Sequence, residues 1–341
     1  MNQESRFGAV IVNYNCGPFA LDAALSFIGA GGAAAIIVDN ASTDGSAEYI
    51  ERALAGDAIH ESEAPSLPFE KDAPSIPELS ALAPGAVRLV RAPCNGGFAY
   101  GCNTGLRLLS AMRNIDRLLL LNPDALLSRR ALAAFAERLA DARAGLCGAS
   151  VVAFDAPHPV QAFGGAALHP LLLVGANIGE GGRLSDAPDR RSVEERMSYP
   201  LGAAIAFRRD YLSRAGFLDE RYFLYYEEAD WTLAGGPANG PAWAPGAIVY
   251  HRYGASSKSA RRGAGEASAR SPLADFHMAR SRIAFALKWR PALAPLAYLG
   301  VFAQAGVRLA RGRPENAAAL IRSILPGRKS PTKPRAYAAA E

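Results

Sequence analysis

Four short apolar runs, each ending in polar residues, constrain this chain more than any other feature. Ala9-Val10-Ile11-Val12-Asn13, Ala34 to Val38 with Asp39 behind it, Val87-Arg88-Leu89-Val90 and Leu118-Leu119-Leu120-Leu121 read as strands, short enough and apolar enough to be buried on both faces. After the Gly17-Pro18 break, helical periodicity runs from Phe19 to Ala30, and a second helix covers about Ser46 to Ala55. Strand, helix, strand, helix at this spacing predicts a parallel sheet with helices on both faces. Residues 57–84 interrupt the rhythm with five prolines and six acids, and they read as an inserted surface loop. A glycine-rich turn, "NGGFAYGCNTG", an amphipathic helix from about Thr104 to Arg113, the fourth strand, a helix from Ser128 to Ala142 and a strand from Leu146 to Val152 complete the first half.

The second half is less regular. A strand over Ala203 to Phe207 leads into "GFLDERYFLYYEEADW", dense in aromatics and carboxylates, and a Gly- and Pro-rich passage leads to "IVYHRYGASS". After Ser257 the composition shifts to Ala, Ser, Arg and Gly, which predicts a compact domain over 1–265 and a basic extension over 266–341, with two or three helices between Ala274 and about Leu325. The net charge of +5 is mild for 341 residues, but Arg and Lys crowd the last quarter, where acids are few. That segment is expected to meet an anionic surface, and by charge a membrane fits as well as a nucleic acid. A nucleic-acid partner would leave the acidic clusters of the preceding domain unexplained, so the cytoplasmic face of a plasma membrane is expected. Pro291 to Val307 is apolar and basic at both flanks, which fits a helix lying on a membrane surface better than one crossing it. Four cysteines without a CxxC pair and a polar start predict a reducing cytoplasm.

In an open parallel sheet, ligands bind at the carboxyl ends of the strands. That rule sets Asn13-Tyr14-Asn15, Asp39-Asn40, Asn95-Gly96-Gly97 and Asn122-Pro123-Asp124 along one crevice. Each has a structural reading as a turn or a helix cap, but those readings weaken when all four share an edge. A carboxylate at the end of a buried strand, as at Asp124, can hold a divalent cation whose other oxygens come from a diphosphate. In Glu227-Glu228-x-Asp230, crowded acids can raise one pKa toward the range of a general base. His251 ends a strand and gains weight as a ligand only opposite Asp124. The first strand lacks the glycine-rich phosphate loop of a nucleotidyltransferase and the GxGxxG of a nucleotide-sugar dehydrogenase.

Taken in order, "VIVNYN", "IIVDNASTDGS", "NGGFAYGCNTG", "LLLNPDA", "GFLDERYFLYYEEADW" and "VYHRYGAS" resemble the family 2 glycosyltransferases of the GT-A fold, within them the bacterial rhamnosyltransferase-like members. The resemblance covers Gly8 to about Ser257 and continues weakly through "DFHMARSRIAFALKW". It implies a Rossmann-like, mostly parallel α/β sheet followed by a C-terminal helical extension. It also implies an inverting hexosyl transfer from a nucleotide-diphosphate sugar, dTDP-rhamnose or a UDP-sugar, to a saccharide or lipid-linked acceptor of the cell envelope. Carried over residue by residue, it assigns Asn13, Tyr14, Asn15, Asp39, Asn95, Gly96, Gly97, Phe98, Asn103 and Asn122 to the donor, and Asp124 and His251 to Mg²⁺ or Mn²⁺. Glu228 becomes the catalytic base, with Glu227, Asp230 and Trp231 beside it on the acceptor side. Two departures stand out: Glu replaces the usual Asp at the base, and Gly235-Gly236-Pro237 should end the following helix early. The alternatives are a divergent, catalytically impaired nucleotide-sugar-binding protein and a nucleotidyltransferase.

Overall fold

The computed structural model describes residues 6–62, 64, 69, 72–155, 157–252 and 270–325. In chain order the elements are β1 (Phe7–Asn13), α1 (Gly17–Gly29), β2 (Ala34–Asp39), α2 (Ser46–Ala55), β3 (Val87–Arg91), α3 (Phe98–Ala111), β4 (Arg117–Leu121), β5 (Ala125–Leu127) and α4 (Ala131–Arg138). There follow β6 (Ala144–Ala153), β7 (Val160–Phe163), β8 (Gly165–Leu168), β9 (Gly175–Asn177), α5 (Arg190–Arg196), β10 (Tyr199–Pro200), β11 (Ala204–Arg208), α6 (Asp210–Ala215), α7 (Glu227–Ala234) and β12 (Gly240–His251). The C-terminal helices are α8 (Pro272–Trp289), α9 (Ala294–Ala310) and α10 (Pro314–Ser323).

The main sheet runs β3-β2-β1-β4-β11-β6-β12-β5, with β7 paired to β6. The four strands anticipated from the sequence form its parallel part, β3-β2-β1-β4. Beyond β4 the sheet turns mixed: β11 is antiparallel to β4 and β6, β12 is parallel to β6, and β5 is antiparallel to β12. A small second sheet orders as β10-β8-β9. Alternation along the strands splits the core in two. Ala9 and Ile11 of β1 face α1, α2 and α4, whereas Val10 and Val12 face α3, α6 and α7.

Several boundaries differ from the sequence expectation, each for a local reason. Helix α3 starts at Phe98, not Thr104, because Gly97 takes φ 90° and its amide donates to Asn95 Oδ1, so the glycine turn feeds the helix at once. Helix α4 covers eight residues within the expected Ser128 to Ala142, and Ala125–Leu127, expected between elements, forms the edge strand β5. Strand β12 is twelve residues long and absorbs Pro241 and Pro245, with register shifts where the prolines interrupt the ladder. Within "NGGFAYGCNTG", Gly101 and Gly105 are packing glycines. A Cβ there would stand 2.6 Å from Val12 Cγ1 and 2.5 Å from Val10 Cγ1, so one glycine face lets α3 settle onto β1.

The described part of the insertion is pressed onto the helices. His60 Nε2 meets Asp22 of α1 at 2.9 Å and its Nδ1 meets Tyr49 of α2 at 2.7 Å. Ser75 lies so close to Gly29 that no Cβ fits between them, and Phe69 stacks edge-on against Tyr250.

The chain divides into two compact units. The first comprises Met1–Leu168, Gly175–Glu220 and Glu227–Ser256 and carries both sheets. The second comprises His169–Val174, Arg221–Tyr226 and Ser257–Glu341, so the C-terminal helices take in two segments from inside the preceding sequence instead of following a single cut near residue 265. In this unit the Tyr226 hydroxyl donates to Leu173 O at 2.6 Å, the Ser281 hydroxyl donates to Leu224 O at 2.9 Å, and Phe223 stacks on His277 with centroids 4.5 Å apart.

Candidate active site

The ends of β1 and β2 are laced together. Asn13 sits level with Asp39 in the ladder and donates to Asp39 Oδ1 at 2.7 Å and to the Ser42 hydroxyl at 3.1 Å, while its own Oδ1 accepts from the Cys16 amide. Asp39 Oδ2 accepts from the Ser42 amide at 3.0 Å. Asn15 adds a second tie, its Oδ1 accepting from the Thr43 amide at 2.8 Å. Asn13 is 0 % exposed with both amide hydrogens used. Expected as a donor contact, it is closed off from ligands and orients Asp39 instead. Asn15 and Ala41 both take positive φ, so the two loops hold left-handed backbone outside glycine at the mouth of the crevice. Tyr14 is half-buried in the same turn.

The third strand end is pinned to the second by Asn40, whose Nδ2 donates to Asn95 Oδ1 at 3.0 Å and to Gly97 O at 2.9 Å. Asn95, Gly96 and Phe98 remain half-buried along this loop. Asn103 does not join them. It is 1 % exposed, and its amide is consumed by Leu218 N, Leu218 O and Glu220 Oε1, so it holds the segment before α7 to α3.

Asp124 and His251 meet through the β5–β12 ladder. His251 is in register with Ala125, the residue after Asp124, and the Arg252 amide donates to Asp124 O at 2.9 Å. This brings His251 Nε2 to 3.3 Å from Asp124 Oδ1 and to 3.2 Å from Asn122 Nδ2. Gln161 fixes the tautomer. Its Nε2 donates to His251 O at 2.9 Å, so its Oε1 is the atom 2.8 Å from His251 Nδ1, and Nδ1 must carry the proton. In the neutral ring Nε2 is then the acceptor, facing the Asn122 Nδ2 donor and lying beside Asp124 Oδ1, a buried oxygen without a hydrogen-bond partner. Two acceptors facing one another fit a cation between them, and a histidine oriented by an amide carbonyl is the usual supporting arrangement of a metal ligand. Among the described residues no group of three or more His, Cys, Asp or Glu forms a complete metal cage, so a cation here would need oxygens from water or substrate.

Glu228 stands in the first turn of α7, directly after Tyr225 and Tyr226, which both have φ near 70°. A Cβ on Gly202 would fall 2.1 Å from Glu228 Oε1, so the glycine makes the room the carboxylate occupies. The next residue, Ala203, accepts from the Asn122 amide at 3.0 Å, which ties the place of Glu228 to the end of β4 two residues before Asp124. Burial pushes the Glu228 carboxyl up to about 7 from its ordinary 4.5, against a backbone hydrogen bond that lowers it. Glu227 and Asp230 are buried beside it. Trp231, expected on the acceptor side, instead fills the core at 1 % exposure, its ring edge-on to Phe207 and its Nε1 donating to Gly216 O. As expected, α7 stops at Ala234, before the glycine pair.

Sequence reasoning missed four contributors. Gln161 had no motif around it, and Gly202 looked like an ordinary loop glycine. Asn40 lay inside a quoted motif without a role. Arg252 follows His251, and its guanidinium is clamped between the rings of Phe19 at 4.3 Å and Phe154 at 3.9 Å, beside Asp22 and Asp124. The remainder of "HRYGAS", from Tyr253 on, lies outside the described residues.

No family model matches the chain, and neither does any characterised protein sequence. Solved structures do resemble it. The crystal structure of GalNAc-T7 with UDP, GalNAc and Mn²⁺ superposes with a TM-score of 0.57 at 13 % identity, over 92 % of this chain and 54 % of that one. S. aureus TarS gives a TM-score of 0.45 at 12 % identity, over 83 % of this chain and 40 % of that one. The chain thus spans about half the length of these proteins, or less. The GalNAc-T7 superposition shows the fold class: a mixed α/β, GT-A-like sheet, here followed by C-terminal helices.

Proposed function

We propose that this protein is an inverting glycosyltransferase. It moves a hexosyl group from a nucleotide-diphosphate sugar, with dTDP-rhamnose the preferred donor over a UDP-sugar, to a saccharide or lipid-linked acceptor in cell-surface polysaccharide synthesis. The observation that carries this reading is the Asp124–His251 pair, two facing acceptors at the carboxyl end of a GT-A-like sheet. That GalNAc-T7 holds UDP and Mn²⁺ supports a nucleotide and a divalent cation for this chain as well. The rhamnosyl preference and the envelope setting rest on the sequence resemblance, and a cytoplasmic reaction is supported by four free thiols.

In this reading Asp39, oriented by Asn13 and the Ser42 amide, keeps lone pairs for the nucleoside, and Tyr14, Asn15, Asn95, Gly96, Gly97 and Phe98 line the donor side. Asp124 and His251 would hold Mg²⁺ or Mn²⁺, which when bound neutralises charge on the leaving diphosphate. Glu228 takes the proton of the acceptor hydroxyl. That oxygen bonds to the anomeric carbon as the bond to the diphosphate breaks on the opposite face, so the configuration inverts. A Glu228 carboxyl near 7 suits the task, because a base is most effective when its pKa matches the working pH.

The test is a screen of nucleotide sugars with Mg²⁺ or Mn²⁺, reading binding and turnover for wild type, Asp124→Ala and Glu228→Gln. One donor should turn over in wild type, Asp124→Ala should lose both binding and turnover, and Glu228→Gln should bind but turn over at least about a hundredfold more slowly. If no nucleotide sugar binds, or if both variants match wild type, the assignment is wrong. Binding without turnover in wild type would identify an impaired enzyme, consistent with the early end of α7.

A further inference from the structure

Helix α9 is built with its small residues inward and its large ones outward. Its buried side consists of Ala294, Ala297, Val301 and Ala305, with Gly300 against the Arg282 guanidinium. Its exposed side carries Leu296, Leu299, Phe302, Val307 and Leu309, with Leu299 63 % and Phe302 52 % exposed. From Pro291 to Val307 there is no charged residue. A helix on a water-facing surface normally does the reverse, burying its bulk and presenting charge. The same unit also exposes Leu171, Leu172 and Val174 from the segment His169–Val174.

We infer that the outward face of α9 lies in the headgroup region of an anionic bilayer, with the helix axis parallel to the membrane. Two observations select this occupant. The first is charge. Residues 270–325 hold nine Arg or Lys against two acids, and one of those acids, Asp275, is buried and neutralised by Arg308 at 2.7 and 3.0 Å. Exposed cations bracket the apolar face, Lys288 and Arg290 before it and Arg311 after it. Basic flanks at both ends say nothing about the sidedness of a spanning helix, but they are what a flat helix needs, because both of its ends meet the same layer of lipid phosphates. The second is anchorage. Although Pro291–Ala310 is long and apolar enough to cross a membrane, its small-residue side packs on α8 and α10. Arg308 of its last turn is bound to Asp275, which also accepts from Asn316 Nδ2. Withdrawing α9 into the hydrocarbon would strand that carboxylate and the Arg282 guanidinium, so the helix stays on its neighbours and offers one face. The inference concerns binding alone and stands apart from the reaction proposed above.

The test is co-sedimentation of the full-length protein with vesicles of phosphatidylcholine, alone or with about a quarter phosphatidylglycerol. Wild type should partition at least about tenfold better onto the anionic vesicles, and added salt should weaken that preference. The double variant Leu299→Glu, Phe302→Glu should lose at least about tenfold in partitioning, because both side chains face out, while its thermal midpoint stays that of wild type. Arg290→Glu with Arg311→Glu should abolish the lipid preference while sparing the fold. Three results would each overturn the inference. They are no partitioning of wild type onto either vesicle, unchanged partitioning of the apolar double variant, or a wild-type dimer in solution that Leu299→Glu converts to monomer.

Discussion

His251 and Glu228 show how a residue's surroundings set its chemistry. The imidazole is made an acceptor at Nε2 by one glutamine ninety positions away in sequence. Gln161→Leu removes that restraint, and metal affinity read by Mn²⁺ titration of the purified protein should fall about ten- to a hundredfold with the fold intact, the usual effect of losing an outer-shell partner. Glu228 offers a test independent of turnover. Its folded pKa of about 7 is above its ordinary 4.5, so the folded chain binds the proton more tightly than the unfolded chain, and Glu228 costs stability as pH rises through that interval. Glu228→Gln should therefore melt higher than wild type at pH 8, by up to about 3 kcal/mol in unfolding free energy, and the gain should vanish toward pH 4. An equal gain at both pH values would mean the carboxyl is not perturbed. For the reaction, activity should rise with pH through the same interval, since only the carboxylate accepts a proton. Asp124 and His251 stood out in sequence as polar ends of apolar runs, whereas pairing them, and choosing Glu228 from its acidic cluster, rested on the family resemblance. Asn13, Asn103 and Trp231 belong to the same motifs, yet the structure gives them internal work, and a motif cannot separate a side chain that touches ligand from one that holds its neighbour.

At the scale of elements, strands that read as apolar runs were legible, the antiparallel β11 among them, and the short edge strand β5 was not. Strands buried on both faces announce themselves as apolar runs, whereas β5 is three residues at an edge, hidden behind Asn122-Pro123-Asp124. That strand supplies the register that sets His251 beside Asp124, so residue types could suggest the pairing but only the ladder brings the two side chains together. Glycines in helices supply a paired test. In α3, Gly101→Ala gains helix propensity of about 1 kcal/mol but drives a methyl to 2.6 Å from Val12, and overpacking of about 1–3 kcal/mol should win. In α9, Gly306 meets nothing within 4 Å, so Gly306→Ala should keep the propensity gain and stabilise by about 1 kcal/mol. Urea unfolding of both variants should move in opposite directions, and a shared direction would show that propensity alone decides.

At the scale of the whole chain, composition pointed to a boundary near residue 265, yet the helical unit takes segments from well before it. Composition reports where a sequence changes character, while compactness depends on which groups find partners: Phe223 and the Leu224 carbonyl find theirs on α8, and the Leu173 carbonyl finds the Tyr226 hydroxyl. Removing everything from residue 270 onward should therefore do more than trim a tail. It strips His277 from the face of Phe223 and the Ser281 hydroxyl from Leu224 O, and it exposes the Tyr226 ring that packs against Phe285 with centroids 5.6 Å apart. Those groups lie immediately before Glu228, in the stretch that sets the entry of α7. The truncated chain should bind a hydrophobic dye, aggregate on concentration, and lose any turnover that depends on Glu228, even with a soluble acceptor that needs no membrane. If it instead stays monomeric, binds no dye and keeps wild-type turnover on such an acceptor, the helices serve only as an attachment, and the segments 169–174 and 221–226 hold their places without them.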